Sequence, residues 1–306
     1  MSVRWHSGAR LAPRTRYRIG GPATFLGEVH DAAALRAAWA YLQSEPFFVL
    51  GAGANTLISD AGVDRRVIVL GREFKRVAIH ETAIEAGAAA GIPGVTQAAR
   101  RHGRKGWSFL EAVPGTIGGA LAMNAGTRDT GIWDRVEWVD ALVPGEPGPV
   151  RLRPADVCPG YRHIDVPEGI VFLSARLRAE PGEIAAIEDT HQSRRAEKLQ
   201  AQPYDLPSCG SVWTNPPGYS AWKLVDGVGM RGEQRGGARV SEMHANFIVN
   251  EGGATAEDVI ELMLETRRRV RDAYGVELVP EIRLWGFPAD LLAELGAPAL
   301  LAESGR

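Results

Sequence analysis

Apolar positions recur at helical spacing in several stretches of the chain and alternate in others. In DAAALRAAWAYLQ (residues 31–43) Leu35, Trp39 and Leu42 share one face and Asp31 stands at the N-cap, which predicts a helix. GVTQAARRHG (94–103) reads as a short helix stopped by glycine. EIAAIEDTHQSRRAEKLQ (183–200) reads as a polar helix with a weak apolar stripe, suited to bridging two domains. TAEDVIELMLETRRRVRDAYG (255–275) carries a full set of helix signals. Thr255 and Asp258 form a capping box, Val259, Met263, Thr266 and Val270 line one face, and Gly275 ends it. Strands are predicted at FFVL (47–50), RVIVL (66–70), RVEWVDALVP (135–144), GIVFLSARLRA (169–179), NFIVN (246–250) and VELVPEIRLWG (276–286). AIHETAIEAGAAAG (78–91) reads as a hairpin of short strands. Helices and strands do not alternate regularly and no repeat is visible, so the expected class is α+β.

A length of 306 residues suggests two domains, or one large domain with a smaller one. The 45% apolar content allows a sizeable core, and the net charge of −2 gives no reason to expect nucleic acid. No apolar run is long enough to span a bilayer and no secretory segment follows the start. The two cysteines, Cys158 and Cys209, make no disulfide framework, so a reduced, cytoplasmic setting is expected. The stretch MSVRWHSGARLAPRTRYR is Arg-rich, and the first acidic residue is Glu28. It reads as a mobile tail over residues 1–16, with a transit peptide as the alternative. The expected division continues with one domain over 17–181, a second over 182–286, and a tail over 287–306 with a short helix and a frayed end. A monomer is expected.

The segment FFVLGAGANTLISD (47–60) begins like a Rossmann dinucleotide loop, with Gly51 and Gly53 after an apolar run. The third glycine position is Leu57, and a strand rather than a helix follows, so a Rossmann site is excluded. A second glycine-rich loop lies in EAVPGTIGGALAMNAGT (111–127). Closely spaced glycines let successive N–H groups line one concavity, a nest for phosphate. Asn55, Thr56 and Ser59 in the first loop, and Thr116 and Asn124 in the second, add side-chain donors. The competing reading is that both are ordinary tight turns.

YRIGGPA (17–23), VLGAGANTLISD (49–60), EAVPGTIGGALAMNAGT, GYR (160–162), PSCGSVWTNPPG (207–218), VSEMHANFIVN (240–250) and PEIR (280–283) succeed one another in an order that resembles the UDP-N-acetylenolpyruvoylglucosamine reductases. The likeness runs from about residue 17 to 286, and the set is specific although each motif alone is weak. The resemblance implies a vanillyl-alcohol-oxidase-type FAD-binding fold with an α+β substrate domain. It implies non-covalent FAD, NADPH as co-substrate, and reduction of UDP-N-acetylglucosamine enolpyruvate to UDP-N-acetylmuramate for peptidoglycan. Gly51, Gly53, Ala54, Asn55, Thr56 and Leu57 would form one loop on the FAD pyrophosphate. Pro114, Gly115, Thr116, Gly118 and Gly119, with Asn124, Ala125 and Gly126, would form the other. Ser211 matches the family's proton donor, Glu281 its catalytic glutamate, and Arg162 the arginine that polarises the substrate carboxylate. Tyr161, Asn215 and His244 match positions beside the substrate.

The chain also departs from that family's pattern. Ala54 stands where serine is usual, and Thr56 is a candidate replacement donor. Ala201 stands where a lysine usually reaches the substrate diphosphate, with Lys198, Arg195 and Lys223 as candidate substitutes. The serine that commonly comes after the Tyr-Arg motif is replaced by His163. The span between Arg162 and Ser211 leaves no room for an extra tyrosine-bearing loop, so the chain resembles the shorter branch of the family. Cys209 reads as a packed thiol, since no activating partner is legible. Two rival functions remain at this point: an oxygen-using oxidase on the same flavin fold, and a catalytically silent nucleotide-sugar or flavin binder.

Overall fold

Asp31 is extended and its carboxylate accepts the Ala34 N–H, which satisfies one of the open donors of the first turn and starts the helix Ala32–Gln43. Leu35, Trp39 and Leu42 are buried on its inner face, as their spacing requires. The fold was obtained as a computed structural model, which describes residues 3–297. The chain divides into two compact units. Among the described residues the first comprises 3–7, 25–52 and 65–198, and the second 8–24, 53–64 and 199–297.

The first unit is built on a five-stranded sheet. Its order is Pro149–Leu152, Val136–Leu142, Val171–Arg178, Ala83–Gly87 and Val77–Ile79, with every neighbouring pair antiparallel. The helix Ile92–Arg101 buries Ile92, Val95 and Ala99 in the cluster that holds Trp107 and Trp133. A second cluster joins Leu35, Trp39 and Leu42 to Phe47, Ile68 and Phe74. Here Phe47–Val49 runs parallel to residues 66–68.

The second unit joins segments distant in sequence. Thr56–Ile58 pairs in parallel with Arg283–Trp285, Leu57 opposite Leu284. Gln234–Arg235, Ala238–Val240 and Ile248–Asn250 form an antiparallel sheet. The helix Ala256–Tyr274 begins at the Thr255–Asp258 capping box and ends at Gly275, whose φ of +66° suits glycine. At its first turn the Ala256 N–H also donates to the Asp60 carboxylate at 2.6 Å. An anion at this end complements the helix dipole.

Several expectations are corrected. The described part of the expected tail, residues 3–16, is not loose: Arg4–Arg10 is an edge strand beside Pro22–Val29, Ala12–Arg14 is a helical turn, and Leu11 is fully buried. An edge strand needs few apolar residues, and exposed arginines guard it against further pairing, so composition concealed it. The boundary expected at 182 falls at 198/199, because Ile187 and His191 of the helix Ile184–Ala201 bury in the first unit. Residues 17–24 and 53–64, assigned to the first domain, group with the second unit, as do residues 8–16 of the expected tail. Thr56 and Leu57 are not loop residues but part of a strand, with Leu57 in the core. The tail contributes the helix Ala289–Glu294, and Leu292 and Leu295 are buried. The frayed end expected beyond residue 297 lies outside the described residues. No described helix is long and apolar enough to cross a membrane.

Candidate functional site

In the first unit the second glycine loop contains a short helix, Ile117–Ala122, which glycines at 118 and 119 hid from propensity. Thr116 caps it, its hydroxyl accepting the Gly119 N–H at 3.2 Å. The Gly118 N–H donates to the Ala88 carbonyl, and the Gly115 carbonyl accepts from Ile92. Pro114 and Gly115 lead into this cap half-buried, whereas Gly119 is exposed. Gly51 lies directly against this cap: a Cβ there would sit 2.7 Å from the Thr116 Oγ1. Only glycine permits that approach, so the start of the first loop and the second loop are neighbours.

Asn124 serves the protein interior. Its Nδ2 donates to the Gly160 carbonyl at 2.8 Å and its Oδ1 accepts the Trp133 N–H at 3.2 Å. The next residue, Ala125, donates its N–H to Ala120 and accepts from Ile132. Gly160 and His163 exchange backbone hydrogen bonds, which closes a tight turn with Tyr161 and Arg162 at its tip. Arg162 has a φ of +56°, and its Nη2 donates to the Gly126 carbonyl at 3.0 Å. Tyr161 is 42% exposed, and the Arg162 guanidinium carbon stands 5.2 Å from its ring centre. Two hydrogen bonds therefore tie the Arg162 turn to the glycine loop.

In the second unit the first loop continues through Gly53, where a Cβ would meet the Arg14 carbonyl at 2.5 Å. Ala54 and Asn55 are half-buried. The Asn55 Nδ2 donates to the Glu281 carbonyl at 3.0 Å, and the Asn55 carbonyl accepts the Arg283 N–H at 2.8 Å. The Glu281 N–H in turn donates to the Val212 carbonyl at 2.7 Å, next to Ser211. The Thr214 N–H donates to Val279, so residues 212–214 and 279–281 run antiparallel. Ser211 and Glu281 thus come from neighbouring backbones, and Asn55 fastens the glycine loop to the same backbone. Sequence reasoning missed this use of Asn55, because nothing local marks an amide bound 226 positions away.

The remaining candidates divide in the same way. The Asn215 Oδ1 accepts the Ala221 N–H at 2.9 Å at the start of the helix Ala221–Gly227. The His244 ring is 4.9 Å from Phe247 and 6.3 Å from Trp222, and its Nδ1 accepts the Asn246 N–H. Burial is the main cause holding its pKa below the ordinary imidazole value, which favours a neutral ring. Cys209 is buried and its thiol donates to the Thr56 carbonyl at 3.1 Å. Burial pushes that thiol well up, so it is a packing group rather than a nucleophile. Of the candidate cations, Lys198 is in the first unit with Arg162, and its Nζ donates to the Glu111 carbonyl at 2.7 Å. Lys223 rests on the Trp222 ring in the second unit.

Among the described residues of the first unit, the backbone N–H groups of Gly115 and Thr116 find no acceptor. With the close approach at Gly51, such donors fit a phosphate-bearing cofactor. Substituting Gly51 with alanine is expected to displace the Thr116 cap, lowering cofactor affinity at least tenfold and the melting temperature with it, as measured by flavin titration and thermal scan.

A family model described as "FAD binding domain" matches residues 24–145, and one described as "UDP-N-acetylenolpyruvoylglucosamine reductase, C-terminal domain" matches 202–285. The UDP-N-acetylenolpyruvoylglucosamine reductase of Anaeromyxobacter dehalogenans strain 2CP-C is 41% identical over 294 residues, covering 95% of this chain and 89% of its own length. That of Acidiphilium cryptum is 41% identical over 280 residues, covering 91% and 90%. The crystal structure of the reductase from Thermus caldophilus superposes with a TM-score of 0.79 at 34% identity, covering 93% of this chain and 99% of that one. The mixed α+β architecture, the matched flavin-binding region and identity sustained across both units agree: this chain belongs to the UDP-N-acetylenolpyruvoylglucosamine reductase family.

Proposed function

We propose that this protein reduces UDP-N-acetylglucosamine enolpyruvate to UDP-N-acetylmuramate with NADPH, through non-covalently bound FAD, in the cytoplasm during peptidoglycan precursor synthesis. The observation that carries this reading is the hydrogen-bonded adjacency of the Ser211 and Glu281 backbones, with Asn55 of the first glycine loop fastened to the same strand. The family relationship supports the substrate class.

A bound FAD would supply the hydride chemistry, making a hydride from NADPH available to the β-carbon of the enolpyruvyl group. The double bond then places negative charge on the α-carbon and its carboxylate. Ser211 hands its hydroxyl proton to that α-carbon and recovers one from solvent, which completes saturation of the bond. Arg162 stabilises the charge that builds on the carboxylate, and its tether to Gly126 means it need not reorganise as the charge develops. Glu281 holds the same carboxylate, either protonated or through a water. Tyr161 and Asn215 line the nucleotide-sugar path, and His244 contributes a neutral ring beside it.

The purified protein is expected to be yellow, to bleach with NADPH, and to recover its absorbance on addition of the enolpyruvyl substrate. A colourless protein that takes up no flavin removes the cofactor. Bleaching without recovery removes the substrate, and recovery with oxygen and a sugar acid would identify an oxidase. Binding without NADPH oxidation would identify a silent binder.

A further inference from the structure

The helix Ile184–Ala201 is charged over most of its surface, and Ile187 and His191 are its buried residues. Its position depends on a polar stripe. His191, Arg195 and Lys198 recur at i, i+4 and i+7, which places them along one face, and all three meet Glu111. The His191 Nδ1 is 2.7 Å from the Glu111 Oε2, the Arg195 Nη1 is 3.7 Å from its Oε1, and the Lys198 Nζ donates to its carbonyl at 2.7 Å. Glu111 is 4% exposed and His191 1%. A buried carboxylate held by an imidazole at this distance is costly to dislodge, because either group alone would be left without its partner.

The residue after Glu111 gives the stripe a purpose. Ala112 has a φ of +57°, a region that residues with a Cβ enter rarely and keep only where their surroundings fix them. The cofactor loop at 114–126 begins two residues later. Burial first, and then Arg194 and Arg162, pull the Lys198 ammonium down to about 8 against the attraction of Glu111. One helix face thus reaches the entrance of the loop.

We propose that Glu111, His191 and Lys198 form a brace that holds Ala112 in its left-handed conformation and so sets the glycine loop for its cofactor, which makes them positioning residues. The inference rests on the FAD reading given above.

Lys198→Met keeps the aliphatic stem and removes the donor, and it is expected to weaken FAD binding about tenfold, a loss of about 1.4 kcal/mol. Lys198→Arg should bind within threefold of wild type. Ala112→Gly is the decisive partner, since glycine adopts this conformation without strain. In that background, adding Lys198→Met should weaken FAD binding less than threefold. A structural strap unrelated to the loop would lower melting temperatures equally in both backgrounds and would leave the flavin dissociation constant unchanged. If Lys198→Met folds poorly, Lys198→Gln gives the same comparison. Unchanged flavin affinity in the single variant, or an equal loss in both backgrounds, overturns the brace. Wild-type protein that binds no FAD overturns the functional reading instead.

Discussion

Replacing Ser211 with alanine is expected to lower turnover about a hundred- to ten-thousand-fold, the range lost when a positioned proton donor is removed. Bleaching of the flavin by NADPH should be unaffected, because the role proposed for Ser211 lies outside that half-reaction, and the defect should appear as slow recovery with the enolpyruvyl substrate. The fold should survive. Cys209 on one side is fixed by its thiol hydrogen bond to Thr56, and Val212 on the other is fixed through Asn246 and Glu281. Gly210, with a φ of +77°, makes the bend between them and is untouched. Substrate KM should change little, since the proposed proton donation acts in the transition state rather than in binding. Cysteine at 211 should restore part of the rate, because it offers a proton at nearly the same position. Stopped-flow absorbance separates the two half-reactions, and a recovery rate within tenfold of wild type would remove Ser211 from its role.

The second large effect is on stability. Asn246 is 5% exposed and Trp213 is 2% exposed. The Asn246 Oδ1 accepts the Trp213 N–H at 3.0 Å, and its Nδ2 donates to the Trp213 carbonyl at 2.8 Å. The register explains the need. Trp213 lies opposite Pro280 in a pair flanked by the bonds from Thr214 to Val279 and from Glu281 to Val212. In such a pair the N–H and carbonyl of Trp213 turn outward, away from the partner strand. The Asn246 amide takes both, standing in for a further strand. Asn246→Ala would leave two buried backbone groups without partners, at about 1–3 kcal/mol each, for a total of about 2–6 kcal/mol. Denaturant unfolding of the second unit should show this loss. Asn246→Asp should be at least as damaging, because a carboxylate can accept from the N–H but repels the carbonyl. A loss below about 1 kcal/mol for the alanine variant would mean that water replaces the amide. Turnover should fall as well, because Val212 is the neighbour of Ser211.

The helix Ala256–Tyr274 was legible to the residue because its signals are local: Thr255 and Asp258 at one end, Gly275 at the other, and an apolar face between. The alternating strands of the first unit were legible for the same reason. The edge strand Arg4–Arg10 was not, since an edge position tolerates a polar, Arg-rich sequence. The strand Thr56–Ile58 was hidden because its partner lies near the far end of the chain and nothing in GANTLIS announces it. The glycine loops could be seen in sequence as unusual, but not how they are held. Asn55 and Asn124 read as cofactor donors, whereas their amides bind Glu281 and Gly160. An amide declares no preference between ligand and backbone until the surrounding fold is known. Ser211 and Glu281 emerged from motif order, and only the antiparallel pairing of 212–214 with 279–281 gives a physical reason for their company.

The parallel pair of Thr56–Ile58 and Arg283–Trp285 has a consequence for biosynthesis. A ribosome must deliver nearly the entire polypeptide before residues 56–58 meet their counterpart, and closing so long an excursion slows the search. During that interval residues 56–58 lack the backbone partners that the strand pairing later supplies.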